Sequence, residues 1–187
     1  MTLQEFRLWD LPTRVFHWTL VLLVLMQWLT GEYELLPMQW HYLGGYAILA
    51  LLLFRLLWGF FGSQSSRFSS FLRSPLAVLR YARTIHHRAP ENLAGHNPLG
   101  GWSVLALLAC LLVQVGTGLF ASDDVLVAGP FATSVSEDVS EWLTEVHEVN
   151  KNILLALIGA HVLAVLWHLL GKRENLVVTM FTGRRSG

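Results

Sequence analysis

The sequence predicts an all-α integral membrane protein: a four-helix bundle with both chain ends on the cytoplasmic side. Three observations predict it, namely the composition, four long apolar runs and the sidedness of the basic residues. Of 187 residues, 53% are hydrophobic and 14% charged, against roughly 25% charged in an ordinary soluble domain. Mean hydropathy is +0.48. These values exclude a soluble globule and a disordered chain. The net charge is zero, so no bulk basicity points to nucleic acid. A single cysteine, Cys110, excludes a disulfide framework, a multi-cysteine zinc or iron–sulfur site, and a C-x-x-C-H site for covalent haem.

A spanning helix needs about 20 mostly apolar residues. Four runs meet this: residues 15–31, 41–61, 102–121 and about 150–171. All are Leu-rich rather than alternating, which favours helices over barrel strands. The first has no small-x-small pattern after it and is read as a retained span rather than a cleaved leader. Trp18, Trp28, Trp40, Trp58, Trp102 and Trp142 lie near span ends, as interfacial anchors do. Four crossings put twelve of the thirteen Lys and Arg residues on one side, with Lys151 alone on the other. Glu32, Glu34, Asp123, Asp124, Glu137, Asp138, Glu141, Glu145 and Glu148 oppose them. The positive-inside rule then makes the arginine side cytoplasmic.

The connections follow. Residues 32–40 form a short outer turn, 62–101 a long basic inner loop and 122–146 an acidic outer loop. Within the inner loop, Ser74-Pro75 reads as an N-cap followed by Pro at the first helical position. Leu72, Leu76, Leu79 and Arg83 then recur at helical spacing, which suits a short interfacial helix. In the outer loop, Ser134 with Glu137 fits a capping box, so the fourth helix is expected to begin well outside the membrane. No internal repeat or low-complexity tract is evident.

The chemistry is expected at the histidines, because ionisable residues inside spans are costly and mark function. His147 and His161 are fourteen residues apart, four helical turns less about 40°. They share one face of the fourth helix, roughly 21 Å apart along its axis. His168 lies on that face seven residues further on. His17, in the first span, matches the depth of His161. His41, opening the second span, matches that of His147. Two pairs at two depths follow, His17 with His161 and His41 with His147, and bis-histidine pairs between helices suit haem iron. Gly44 and Gly45, one turn after His41, would leave room for a macrocycle. Gly116 and Gly118 would let a ring lie against the third helix. Arg14 and Arg55 are placed for inner haem propionates, and Lys151, one turn after His147, for the outer haem.

Each position also has a plainer reading. His41 and His147 could be solvated interfacial residues, and His161 an interhelical hydrogen-bonding group. Arg55 could snorkel to headgroups, the glycines could serve close packing, and Cys110 suits packing. His168 fits a cytoplasmic-edge polar residue, a propionate partner or an axial ligand alternative to His161. His86, His87 and His96 read as solvated loop residues.

These residues resemble the prokaryotic cytochrome b561 family over nearly the whole chain. The resemblance is carried by Trp9-Asp10-Leu11-Pro12-Thr13-Arg14-Val15-Phe16-His17-Trp18, His41-x-x-Gly44-Gly45, Gly95-His96-Asn97-Pro98, the His147/His161/His168 series and Arg173-Glu174-Asn175-Leu176. It implies two non-covalent b haems. His17 and His161 would ligate the cytoplasmic-side haem and His41 and His147 the periplasmic-side one. It also implies electron transfer across the inner membrane, usually between a quinone and a periplasmic partner.

The leading expectation is therefore a di-haem electron conduit between the quinone pool and a periplasmic redox protein. The acidic outer loop would steer a basic partner such as a c-type cytochrome. That makes it an electron-transfer protein first, or, as an enzyme, an oxidoreductase acting with quinone. The alternatives are a superoxide oxidase reducing quinone, against which the acidic outer face argues, and a membrane-anchor cytochrome b subunit of a hydrogenase or dehydrogenase. A different class is a non-redox four-helix transporter or assembly subunit. A quinone site is expected near His17, His168 and Arg55. Oligomeric state is not encoded in any motif.

Overall fold

A computed structural model describes residues 8–33, 35–83, 97–122 and 128–184. Arg7, Glu34, His86, His87, Arg88, His96, Asp123, Asp124 and Arg185 lie outside them. The chain is an all-α membrane helical bundle. Among the described residues four helices are long and apolar enough to cross a membrane: α1 (Leu11–Tyr33), α2 (Met38–Phe61), α5 (Pro98–Gly118) and α6 (Glu137–Gly171). Between α2 and α5 lie α3 (Phe68–Phe71) and α4 (Pro75–Ala82), and α7 (Leu176–Thr182) follows α6. Among the described residues the only β pairing is an isolated bridge, Ser122 to Ala128.

The helix starts follow local chemistry. Asp10 caps α1, its Oδ1 accepting from the Thr13 amide at 2.9 Å, with Pro12 in the first turn. Asn97 does the same for α5, accepting from the Gly100 amide at 2.7 Å. Ser74 caps α4 as its sequence suggests, accepting from the Ala77 amide. Leu76 and Leu79 of α4 are exposed, beside Arg80. The capping box expected at Ser134 is not formed. Ser134 ends a 3₁₀ turn, Ala132–Ser134, and its hydroxyl donates to the Phe131 carbonyl at 2.6 Å. The turn's own carbonyl captures the hydroxyl, and α6 opens after Ser136 instead. At 35 residues, α6 is about 52 Å long against a hydrocarbon core of about 30 Å. It is therefore longer than a hydrocarbon core requires.

The chain divides into two compact units. The first comprises Met1–His17, Arg55–Ala106 and Ile158–Gly187. Its hub is Asp10, whose Oδ2 accepts from the Trp58 indole at 2.9 Å and the Ser66 hydroxyl at 3.4 Å. Burial pushes this carboxyl up, but hydrogen bonds from Ser63, Thr13 and Trp58 outweigh it and leave it below the usual value. Arg55 is buried here, donating to the Ser66 carbonyl at 3.1 Å and lying over the Phe68 ring at 5.0 Å. The α7 helix is capped by Asn175 and ends at Gly183, whose φ of 76° suits glycine. The Gly183 carbonyl accepts from the Leu8 amide at 2.8 Å.

The second unit comprises Trp18–Phe54 and Leu107–Leu157. Ile48, Leu52, Leu108, Leu111 and Leu154 form its buried apolar part. The start of the 119–136 loop is tied to α6: the Ser140 hydroxyl donates to the Phe120 carbonyl at 2.8 Å, and Thr144 exchanges hydrogen bonds with the Ser122 backbone.

Candidate functional site

The structure brings the four histidines together as two pairs, one in each unit. In the first unit the rings of His17 (α1) and His161 (α6) lie 6.4 Å apart between centres. In the second, those of His41 (α2) and His147 (α6) lie 6.5 Å apart. A metal–imidazole bond is about 2 Å and a ring nitrogen lies about 1.1 Å from its ring centre, so one metal between two coaxial imidazoles sets the centres roughly 6.3 Å apart. Both separations lie close to that value, which ordinary ring contacts such as Phe60 with Phe61 at 6.5 Å also reach. Among the described residues no three His, Cys, Asp or Glu side chains converge on a metal site. Each pair brings two imidazoles together.

In the second unit both Nδ1 atoms and the His147 Nε2 atom are hydrogen-bonded. The Thr30 hydroxyl, which donates to the Met26 or Gln27 carbonyl, lies 3.1 Å from His41 Nδ1. The Thr117 hydroxyl lies 3.2 Å from His147 Nδ1, which also donates to the Gln114 carbonyl at 2.9 Å. His147 Nε2 accepts from the Gln114 amide at 3.0 Å. The Gln114 side-chain oxygen accepts in turn from Asn150 at 2.6 Å. Asn150 exchanges hydrogen bonds with Cys110: it donates to the Cys110 carbonyl at 3.0 Å and its Oδ1 accepts from the thiol at 3.1 Å. Cys110 is thus one end of a buried polar network rather than simple packing. Thr30, Thr117, Gln27, Gln114 and Asn150 were not singled out from the sequence, although polar side chains inside apolar runs are themselves a signal.

The other site residues divide. Arg55 presents Nη1 as a buried donor with no hydrogen-bond partner among the described residues. Arg14 donates from Nη1 to the Thr182 carbonyl at 2.9 Å, and its buried Nε has none among them. Two cationic groups with unsatisfied buried donors suit an anionic group such as a propionate. Lys151 is instead paired with Glu32 at 2.9 Å and Glu148 at 2.8 Å. Gly44 faces the Gln27 and Met26 side chains, and a Cβ at Gly45 would lie 3.7 Å from Gln27. A Cβ at Gly116 would meet nothing within 4 Å, whereas one at Gly118 would lie 2.8 Å from His147. His168 Nδ1 pairs with Glu174 at 3.0 Å, where the chain turns after α6 at Arg173, φ 58°.

Comparison with known proteins adds three findings. The family profile of prokaryotic cytochrome b561 matches residues 8–183. A curated relative from Bradyrhizobium diazoefficiens, named "Probable Ni/Fe-hydrogenase B-type cytochrome subunit", is 21% identical over 95% of this chain and 84% of its own length. No solved structure matches the chain at comparable stringency.

Proposed function

This chain belongs to the prokaryotic cytochrome b561 family, and from that premise we propose that it is a di-haem electron conduit across the bacterial inner membrane. The observation that carries the reading is the pair of imidazole separations, 6.4 and 6.5 Å. His17 and His161 would hold one b haem and His41 and His147 the other. Bound haem supplies one-electron exchange between ferric and ferrous iron, tuned by its ligands and their partners. If His147 Nε2 held the iron, it would give up its hydrogen bond from Gln114, which would keep Asn150 as its partner. Arg55 and Arg14 would meet haem propionates in the first unit.

Both chain termini are cytoplasmic in this reading, because the basic residues gather on that side. Quinone would exchange near His17, His168 and Arg55, where His168 is held by Glu174 at 3.0 Å. On the periplasmic side Glu137, Asp138, Glu141, Glu145 and Glu148 line the exposed start of α6 and favour a basic redox partner such as a c-type cytochrome. Reduction of such a partner should slow as salt rises.

A second reading, a membrane subunit of a nickel–iron hydrogenase, is favoured by the printed name of the Bradyrhizobium relative. It keeps both haems and changes only the periplasmic partner.

The test is an oxidised-minus-reduced spectrum of the detergent-purified chain, with haem quantified per polypeptide, before and after His161→Ala. Two low-spin b haems, one of them lost or converted in the variant, support the conduit. A colourless protein from cells supplied with haem overturns it. Retention of both haems in the variant moves the ligand to His168.

A further inference from the structure

The segments that close on the second histidine pair share a five-residue pattern. Gln27-Trp28-Leu29-Thr30-Gly31 lies in α1, and Gln114-Val115-Gly116-Thr117-Gly118 ends α5. Both read Q-x-x-T-G. The Thr and Gly do the same work in each. Thr30 and Thr117 are buried, 1% and 7% exposed. Each spends its single hydroxyl proton on a carbonyl one turn earlier: Thr30 on Met26 at 2.9 Å, Thr117 on Val113 at 2.8 Å. Such back-bonding is common for Thr in apolar helices. Here the remaining lone pair of each hydroxyl faces a histidine Nδ1, at 3.1 Å for His41 and 3.2 Å for His147.

A hydroxyl whose proton is committed can only accept. Nδ1 must therefore carry the hydrogen on both rings, and the Gln114 carbonyl, also only an acceptor, requires the same of His147. Nε2 is left with its lone pair, the form that binds a metal. The glycine one residue on clears the ring edge: a Cβ would lie 3.1 Å from His41 Cε1 at Gly31 and 2.8 Å from His147 Cε1 at Gly118. The glutamines diverge. Gln27 donates to the His41 carbonyl at 2.8 Å, and Gln114 to the His147 ring.

We propose that Thr30 and Thr117 are duplicated positioning residues for an iron held between His41 and His147, and that they set its redox level. This rests on the reading of those histidines as haem ligands. An acceptor on Nδ1–H makes Nε2 a stronger donor to the metal, which favours the oxidised state. Removing both hydroxyls, which takes the acceptor from His41 and leaves His147 only the Gln114 carbonyl, raises the midpoint of that haem.

The experiment is an optical redox titration of the full chain, purified with its haem, for Thr30→Val, Thr117→Val, the double Val variant, Thr30→Ser and Thr117→Ser. His41→Ala is carried as the marker of the pair. The double Val variant should shift the reduced-to-oxidised ratio of one haem about tenfold at fixed potential, which is about 59 mV upward for one electron. The other haem should not move, and each Ser variant, which keeps the hydroxyl, should titrate as the unsubstituted chain does. Unchanged midpoints in a fully loaded double Val variant overturn the proposal, provided His41→Ala loses a haem. If the double Val variant fails to load that haem, loading and midpoint preserved in the Ser variants support the proposal, and loss in them too overturns it in favour of packing. Both haems retained in His41→Ala overturn the ligand reading and this proposal with it.

Discussion

Gly118→Ala tests the geometry around His147 most directly. The new Cβ would lie 2.8 Å from His147 Cε1 and 3.2 Å from Nδ1. Carbon–carbon contact is comfortable from about 3.5 Å, so the ring must retreat from α5 by roughly 0.7 Å. Both acceptors of Nδ1 are on α5, the Gln114 carbonyl at 2.9 Å and the Thr117 hydroxyl at 3.2 Å. A retreat of that size stretches them past the useful range of about 3.2 Å. Losing two hydrogen bonds at about 1 kcal/mol each, partly offset by the better helix propensity of Ala, gives a net loss of about 1 kcal/mol. Disturbing a partner that orients a ligand costs a further 10-fold or so in metal affinity. Gly31→Ala is milder: its Cβ would lie 3.1 Å from His41 Cε1, with the single acceptor Thr30 at stake. Gly159→Ala is the control, because nothing lies within 4 Å of its Cβ position, and two residues' rotation turns it about 200° from His161. Haem per chain and thermal midpoint, read in one detergent, should fall in the order Gly118→Ala, Gly31→Ala, Gly159→Ala. Equal loading in the first and last refutes the reasoning.

Three further predictions concern other parts of the molecule. Asp10→Ala removes the α1 cap and the acceptor for Trp58, and should lower stability by about 1–2 kcal/mol, measured by thermal unfolding. Because the Asp10 carboxyl is lowered in the fold, its contribution is complete above the unfolded value near 3.9 and lost as pH falls through the lower folded one; Asp10→Asn should flatten that acid limb while keeping the cap. Arg55→Met removes a buried cation with an unsatisfied donor, and should lower the midpoint of the haem held by His17 and His161 without moving the other, since a nearby positive charge favours reduced iron. Asn150→Leu strands the Gln114 side-chain oxygen and the Cys110 thiol, and should cost about 1–3 kcal/mol, read as a lower thermal midpoint.

The spans and the histidine pairing were legible because each rests on the period of a single helix. An apolar run reports its own length, and fourteen residues return His161 to the face of His147 whatever surrounds them. The small α7 helix was missed, although Asn175 before an apolar stretch and Gly183 after it leave a cap at each end. The start of α6 was less legible, because Ser134 and Ser136 both precede acidic residues and only the Phe131 carbonyl decides which hydroxyl is free.

Partners that arrive from a different helix were not legible, and the reason is physical. A soluble helix announces its rotation through a polar and an apolar face. In lipid that contrast weakens, and packing is governed by close fit and scattered polar contacts. The α1 segment LVLLVLMQWLTG carries no stripe that says Gln27 and Thr30 turn toward His41. Lys151 shows the same limit: one turn after His147 it can be placed on α6, but its engagement with Glu32 depends on where α1 ends. The recurrence of Q-x-x-T-G in two spans supplies the missing orientation. Each segment turns its Thr and Gly toward a histidine ring, so the shared spacing relates the rotation of α1 to that of α5 about the second pair, while Gln27 and Gln114, both half-buried, take different partners.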